Sequence, residues 1–332
     1  MVPPVFKSNI NTMLLFSIAL VVGLVLLVMS SDKFIEHSAL VAEKLNVNPM
    51  IIGITLVAFG TSAPEMVVSA IAALDNAPEI AVGNVLGSNI ANIALVFGIT
   101  LLFSAIPIAP GLSSKEVPLV LAITLLAGFL LFDQTLGTWD GIILIAAFII
   151  ILTILLKGSK DLEKELKEGL PEDDGTSVNK SLIIAIIGLA ILIGSSKLLV
   201  WGAIGIATSL GVSELVIGLT IVAVGTSLPE LAASVSSVRK GHHDIAIGNI
   251  LGSNIFNLAT VLPLPAIIAP GLVDESVISR DFPWVLGLTV ALALAIFIFK
   301  KAKGNSIPRW VGIPLIAFYG LYLFIVSTNG SI

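Results

Sequence analysis

The sequence predicts an all-α, polytopic membrane protein: ten transmembrane helices arranged as two inverted five-helix repeats, each with a broken helix at mid-membrane. Three observations predict it. The 332 residues are 56% hydrophobic and only 12% charged, against roughly 25% charge in soluble domains. Residues 53–95 recur without a gap at residues 218–260, each residue matching the one 165 positions later. The basic residues, finally, crowd onto one side of a ten-span layout.

Apolar runs near the ~20 residues needed to cross a bilayer place the spans at 11–31, 49–74, 79–105, 117–133, 139–156, 181–201, 213–238, 244–268, 283–300 and 309–327. The first is read as a retained span rather than a signal peptide. Its apolar core, Met13 to Met29, is long for that role, and no small-residue cleavage site follows cleanly. With the loops alternating between faces, 14 of the 17 basic residues fall on one side; only Lys7, Lys197 and Arg280 fall on the other. Such an asymmetry orients the basic face to the cytoplasm and both termini outward.

The polar stretch 157–180 divides the chain into a first repeat, 1–156, and a second, 181–332. Five is odd, so the second half enters the membrane from the opposite side. A shorter echo, APGL, follows each copy at 109–112 and 269–272. Asp173-Asp174-Gly175 lacks the ligand spacing of an EF-hand, so 157–180 reads as a solvated cytoplasmic linker. The net charge of −5 lies mostly in this loop and at span ends. With no cysteine there is no disulfide framework and no thiolate chemistry.

The two copies share 21 of 43 residues, concentrated in GTSxPE and GNxLGSNIxN. A duplication that keeps its polar residues while its apolar ones drift is keeping a polar site. Of the 22 acidic residues, only Glu65 and Glu230 fall deep within apolar segments, and no Lys or Arg does. An ionised side chain at the bilayer centre costs on the order of 3 kcal/mol. Protons or metal cations are the available compensation. The plain alternative, protonated glutamates gluing helices, sits poorly with the recurrence of both acids in one motif.

Gly60-Thr61-Ser62-Ala63-Pro64-Glu65 and Gly225-Thr226-Ser227-Leu228-Pro229-Glu230 each read as a helix start: a glycine turn, a capping hydroxyl, then Pro and Glu in the first turn. In mid-bilayer this predicts a broken helix, with carbonyls near Ala58 and Ala223 losing their partners. Carbonyls, hydroxyls and a carboxylate make a hard-oxygen cage suited to Na⁺ or Ca²⁺. A Pro kink satisfied by Thr and Ser is the alternative for either copy alone.

Asn84, Ser88 and Asn92, like Asn249, Ser253 and Asn257, are spaced to line one helix face. Ser88, Asn92, Ser253 and Asn257 read as neutral oxygen ligands. Gly83, Gly87, Gly248 and Gly252 read as close packing. Asn89 and Asn254 point elsewhere and are unassigned. His242, His243 and Asp244 fit a solvated cytoplasmic turn, and the tryptophans fit interfacial anchors. No nucleotide loop, Ser-His-Asp order or basic nucleic-acid stripe is present.

The duplicated pair GTSxPE and GNxxGSNIxN resembles the sodium/calcium exchanger family of the calcium/cation antiporter superfamily, in its prokaryotic type. The resemblance implies alternating access, with sodium moving down its gradient to expel calcium, and a plasma-membrane location. It implies cation ligands at Ala58, Thr61, Ser62, Glu65, Ser88 and Asn92, and at Ala223, Thr226, Ser227, Glu230, Ser253 and Asn257. Both glutamates would hold a central calcium, with sodium served by hydroxyls and the alanine carbonyls. Some relatives, the potassium-dependent branch in particular, carry Asp where Asn257 stands. A proton-coupled Ca²⁺/cation antiporter is the runner-up reading. The 24-residue loop leaves no room for a calcium-sensing domain.

The expected partners are Ca²⁺, Na⁺ and the lipid bilayer, with no nucleic acid, no cofactor and no enzymatic turnover. A monomer can suffice, since one chain holds both repeats. Spans one and six, free of buried acids, are the expected sliding gate. A cation channel and an intramembrane enzyme using paired carboxylates are the competing classes; the repeat disfavours the first, and the second lacks a substrate signal.

Overall fold

The computed structural model describes residues 10–45, 47–109, 111–162, 177–211, 223–302 and 304–329. It is helical throughout, apart from two short antiparallel strand pairs. Among the described residues eight helices are long and apolar enough to cross a membrane, or nine if the bent pair Pro49–Thr61 and Ala63–Leu74 is one span. The predicted span 213–238 lies partly outside the described residues; its described part is Ala223–Thr226 followed by Leu228–Arg239. The predicted linker 157–180 lies mostly outside them as well. Its described ends continue the helices Thr138–Leu162 and Val178–Ser209.

Burial sorts the helices into an inner and an outer set. The most apolar windows of Pro78–Phe103 and His243–Ile268 are 78% and 94% buried, against 17% for the first helix. The helices carrying the polar stripes are therefore the centre of the molecule, and the more apolar ones face lipid. Leu86, Ile90, Ile93 and Phe97 from one stripe helix pack in the same core as Ile250, Leu251, Ile255 and Leu258 from the other. Close approach is built in by glycine. A Cβ at Gly248 would lie 2.5 Å from the Met50 carbonyl oxygen, and one at Gly252 2.6 Å from that of Ile54.

Two helices exceed their predicted spans. Ile10–Lys44 has 35 residues and Val178–Ser209 has 32. At ~1.5 Å per residue the first is about 52 Å long, well beyond a ~30 Å hydrocarbon core. They pack against each other antiparallel along their length. A Cβ at Gly23 would lie 2.8 Å from the Leu199 backbone nitrogen, and one at Gly188 3.1 Å from that of Phe34. Gly23 and Gly188 are 165 positions apart, as are Phe34 and Leu199, so this contact is its own mirror. Packing sustains the helix where hydrophobicity alone would end the span.

The strands are reciprocal too. Ile106–Pro107 pairs with Ser306–Ile307, and Thr135–Leu136 pairs with Gly271–Leu272. Each pair joins one half of the chain to the other. Wider π-helical turns begin at Asn92 and at Asn257, covering Asn92–Phe97 and Asn257–Val261. Turns of this kind interrupt regular helix at functional positions.

Candidate cation site

Each glutamate is placed by a helix that stops and restarts. In the first copy the Asn48 side chain accepts from the Met50 N–H at 2.9 Å, with Pro49 in the first turn. The helix runs to Thr61, leaves helical geometry at Ser62 (φ −82°, ψ 2°) and resumes at Ala63 with Pro64 in its first turn. The two pieces meet at 44°. The second copy breaks at Ser227 (φ −89°, ψ 5°), and Pro229 opens Leu228–Arg239. Glu65 and Glu230 thus both occupy a first helical turn, where the helix dipole favours negative charge. Each is only 1% exposed.

The two copies treat the carbonyls before the break differently. Proline lacks the N–H that would bond four residues back, so Pro64 releases Gly60 and Pro229 releases Gly225. The Ala58 carbonyl accepts from the Ser62 N–H at 2.9 Å, and the Thr61 hydroxyl, 3.3 Å from it, shares its one proton between this carbonyl and Asn249. In the second copy the Ser227 N–H bonds the Val224 carbonyl at 3.1 Å, a tighter turn by one residue. The Gly225 carbonyl is taken up by the Ser196 hydroxyl at 3.1 Å.

The two motifs meet. The Ser62 hydroxyl donates to Glu230 Oε1 at 3.3 Å, across 168 residues of chain. Thr61 donates to Asn249 Oδ1 at 3.1 Å. Asn257 Nδ2 donates to Asn89 Oδ1 at 3.2 Å. Ser88, Asn92 and Ser253 are buried on the stripe helices, and no hydrogen bond joins them to either glutamate. Thr226 is partly buried, and Ala223 opens the short helix before the second break.

Sequence reasoning left Asn84 and Asn249 without a role. Asn84 Nδ2 donates to the Glu65 carbonyl at 3.3 Å and to Ser69 Oγ at 3.0 Å. Asn249 Nδ2 repeats this with the Glu230 carbonyl at 3.2 Å and Ser234 Oγ at 2.9 Å. Each asparagine pins a glutamate's backbone to a stripe helix. Their signal was available, since Ser69 and Ser234 are identical across the repeat.

Several buried oxygens have no hydrogen-bond partner: Glu65 Oε2, Glu230 Oε2, Asn92 Oδ1, Ser227 Oγ, Ser253 Oγ and Asn257 Oδ1. A buried polar atom left unsatisfied costs about 1–3 kcal/mol. All six are oxygens of the two repeated motifs, and carboxylate, carboxamide and hydroxyl oxygens are the donor types that suit a hard cation. Among the described residues no three His, Cys, Asp or Glu gather elsewhere as a metal cluster.

Two buried glutamates on helices whose motifs touch, in a helical integral membrane protein, fit the class of ion transporters. The family model described as sodium/calcium exchanger protein matches residues 15–157 and 180–328. The chain belongs to the sodium/calcium exchanger family, a family of membrane antiporters. The putative antiporter CaxA of Alkalimonas amylolytica is 43% identical over 323 residues, 95% of this chain and 100% of that protein. The inner membrane protein YrbG of Escherichia coli is 39% identical over 303 residues, 89% of this chain and 93% of that one. A solved structure of the sodium-calcium exchanger NCX_Mj, soaked with Na⁺ and Sr²⁺, superposes with a TM-score of 0.79 at 32% identity, covering 93% of this chain and 97% of that one.

Proposed function

We propose that the chain exchanges Na⁺ for Ca²⁺ by alternating access, with Glu65 and Glu230 holding the central cation. The observation that carries this reading is the set of six unpartnered buried oxygens around two glutamates whose motifs touch through Ser62 and Glu230. Two carboxylates match one Ca²⁺ in charge, so occupancy leaves no buried net charge. Ser62, Thr61, Thr226, Ser227, Ser88, Asn92, Ser253 and Asn257, with the carbonyls of Ala58 and Ala223, supply neutral oxygens. Sodium displaces calcium by filling several of these positions at once.

An empty or half-filled site leaves charge uncompensated in the membrane, so only neutralised states change sides readily. That cost couples the two fluxes. If more than two Na⁺ exchange per Ca²⁺, each cycle senses voltage at ~2.3 kcal/mol per charge per 100 mV. The likeness to NCX_Mj, a sodium-calcium exchanger, supports sodium as the coupling ion.

The layout is ten spans in two inverted repeats, 1–156 and 181–332, joined by the cytoplasmic segment 157–180. The mirrored bonds of Asn84 and Asn249, the self-mirrored Gly23 and Gly188 contacts and the reciprocal strand pairs support it. The basic-residue asymmetry supports a prokaryotic plasma membrane with both termini outside.

The test is ⁴⁵Ca²⁺ uptake into proteoliposomes with sodium and proton gradients imposed separately. Uptake follows the sodium gradient and is abolished in Glu65→Gln and Glu230→Gln. Uptake that ignores sodium and follows pH would replace this reading with a proton-coupled antiporter. Activity surviving in both variants would remove the glutamates from the site.

A further inference from the structure

Asn89 and Asn254 belong to the repeated motif, yet neither falls on the face of the proposed ligands. Both are buried, at 0% and 2% exposure. They differ in what they do. Asn89 Oδ1 accepts from Asn257 Nδ2 at 3.2 Å. Asn254 Nδ2 donates to the Ile250 carbonyl at 2.7 Å within its own helix, and no hydrogen bond joins it to Asn92.

We infer that Asn89 is a positioning residue for cation binding: by accepting the Asn257 amide it turns Asn257 Oδ1, rather than Nδ2, toward the cation. This rests on the reading of Asn257 as a ligand. A carboxamide carries its oxygen and its NH₂ on opposite sides of one carbon. With the NH₂ held by Asn89, the oxygen must face away, and Asn257 Oδ1 is one of the unpartnered buried oxygens. A flipped amide aims two positive N–H groups at a dication. Little else holds it, since Asn257 makes no other side-chain hydrogen bond among the described residues.

The contact joins the two stripe helices across 168 residues, and the π-helical turn Asn257–Val261 begins at the residue being oriented. Asn89 is one turn before Asn92 on the opposite stripe. The first repeat thus contributes ligands and also directs a ligand of the second. Outer-shell partners that orient a metal ligand are worth about 10–100-fold in affinity.

A purely structural Asn89, gluing two helices, predicts lost folding or rate whatever residue stands at 257. The directing role predicts coupling to position 257. Aspartate carries oxygen on both sides and has no N–H to misdirect, so it needs no director.

The experiment measures KM for Ca²⁺ and maximal rate of sodium-driven ⁴⁵Ca²⁺ uptake in Asn89→Leu, Asn257→Asp and the double variant, with folding checked by size-exclusion chromatography. Asn89→Leu raises KM about tenfold with maximal rate within about twofold. In the Asn257→Asp background the same substitution leaves KM within about twofold of Asn257→Asp alone. Should Asn89→Leu not fold, Asn89→Ala carries the same comparison. An unchanged KM in the single variant, or an equal loss in both backgrounds, overturns the inference. If Glu65→Gln and Glu230→Gln abolish uptake while position 89 shows no coupling, the inference alone fails. If they leave uptake intact, the site reading fails and takes this inference with it.

Discussion

The Ser196 hydroxyl donates to the Gly225 carbonyl at 3.1 Å, whereas Ser31, its counterpart 165 residues earlier, donates to Val28 in its own helix at 2.9 Å. The neighbouring serines do not differ: Ser30 bonds the Leu27 carbonyl and Ser195 that of Leu192. The repeat therefore breaks its symmetry here, at the bond between the Val178–Ser209 helix and the carbonyl that Pro229 releases. Ser196→Ala is expected to cost about 1–3 kcal/mol, because it leaves a buried carbonyl without a donor. Ser31→Ala removes a bond that duplicates helical hydrogen bonding and is expected to cost less than about 0.5 kcal/mol. Thermal unfolding of the two purified variants measures the difference; equal losses would strip the Ser196 bond of this role.

The same asymmetry recurs toward the C-terminal end of the first helix. Asp32 accepts from Ser236 at 2.5 Å, and Glu36 pairs with Lys240 at 3.4 Å and with Lys33 at 3.3 Å. Among the described residues no hydrogen bond or ion pair joins Val178–Ser209 to Ala63–Leu74. If the two long helices slide as a gate, these contacts must break in each cycle. The chain has no cysteine, so Asp32→Cys with Ser236→Cys supplies the only thiols. A short thiol crosslinker between them is expected to arrest Ca²⁺ uptake, and reductive cleavage to restore it. Full uptake in the crosslinked protein would exclude motion at this contact.

Asn249 holds three partners: the Glu230 carbonyl, Ser234 and Thr61. Asn84 holds two, the Glu65 carbonyl and Ser69. Replacement by Leu removes all of these bonds, at about 0.5–1.5 kcal/mol each. Asn249→Leu is expected to lower the melting temperature more than Asn84→Leu, and the reverse order would show that the third contact adds nothing.

Gly248→Ala and Gly252→Ala put a methyl 2.5–2.6 Å from backbone oxygens of the Pro49–Thr61 helix, where neither side can yield cheaply. Overpacking of this kind costs about 1–3 kcal/mol or more. Gly320 meets nothing within 4 Å, and there alanine gains helix propensity of about 0.5–1 kcal/mol. Melting temperatures are expected to fall for the first two and to hold or rise for Gly320→Ala.

Burial, then Lys240 and His243, hold the His242 imidazole below its ordinary range. A histidine depressed in the folded protein binds its proton more readily once unfolded. Stability should therefore fall as pH drops through 6.5, the unperturbed value, and level off once the folded imidazole is also charged. The side chain is only partly buried, so the effect is small. His242→Gln is expected to flatten the melting temperature between about pH 7 and pH 5; an unchanged slope would assign the dependence to other groups.

Much of the site could be read from residues alone because its elements are local. Glu65 and Glu230 stood out against apolar text, and Thr-Ser-x-Pro-Glu wrote its own helix break at Ser62 and Ser227. What escaped was set by contact across the chain. Ala58 looked like an orphaned carbonyl, but the Ser62 N–H reaches it, and the carbonyl whose donor the proline removes is Gly60. Ile10–Lys44 and Val178–Ser209 run past their apolar cores because each has the other to pack on, which hydropathy does not encode. Asn89 had no visible purpose until Asn257 was placed beside it. The π-helical turns at Asn92 and Asn257 left no mark in composition, since the extra residue is apolar like its neighbours.

The strand pairs carry a consequence for how the molecule is held together. Ile106–Pro107, just after one stripe helix, pairs with Ser306–Ile307, and Gly271–Leu272, just after the other, pairs with Thr135–Leu136. Element by element the pairing is mutual, as across the interface of an isologous dimer. Each half is in effect one subunit of a two-subunit assembly whose dimer contact has been made permanent by a tether. Severed between Lys157 and Lys180, the two fragments would each expose a strand edge that only the other completes, so co-expression, not either piece alone, is the condition for recovering a folded protein.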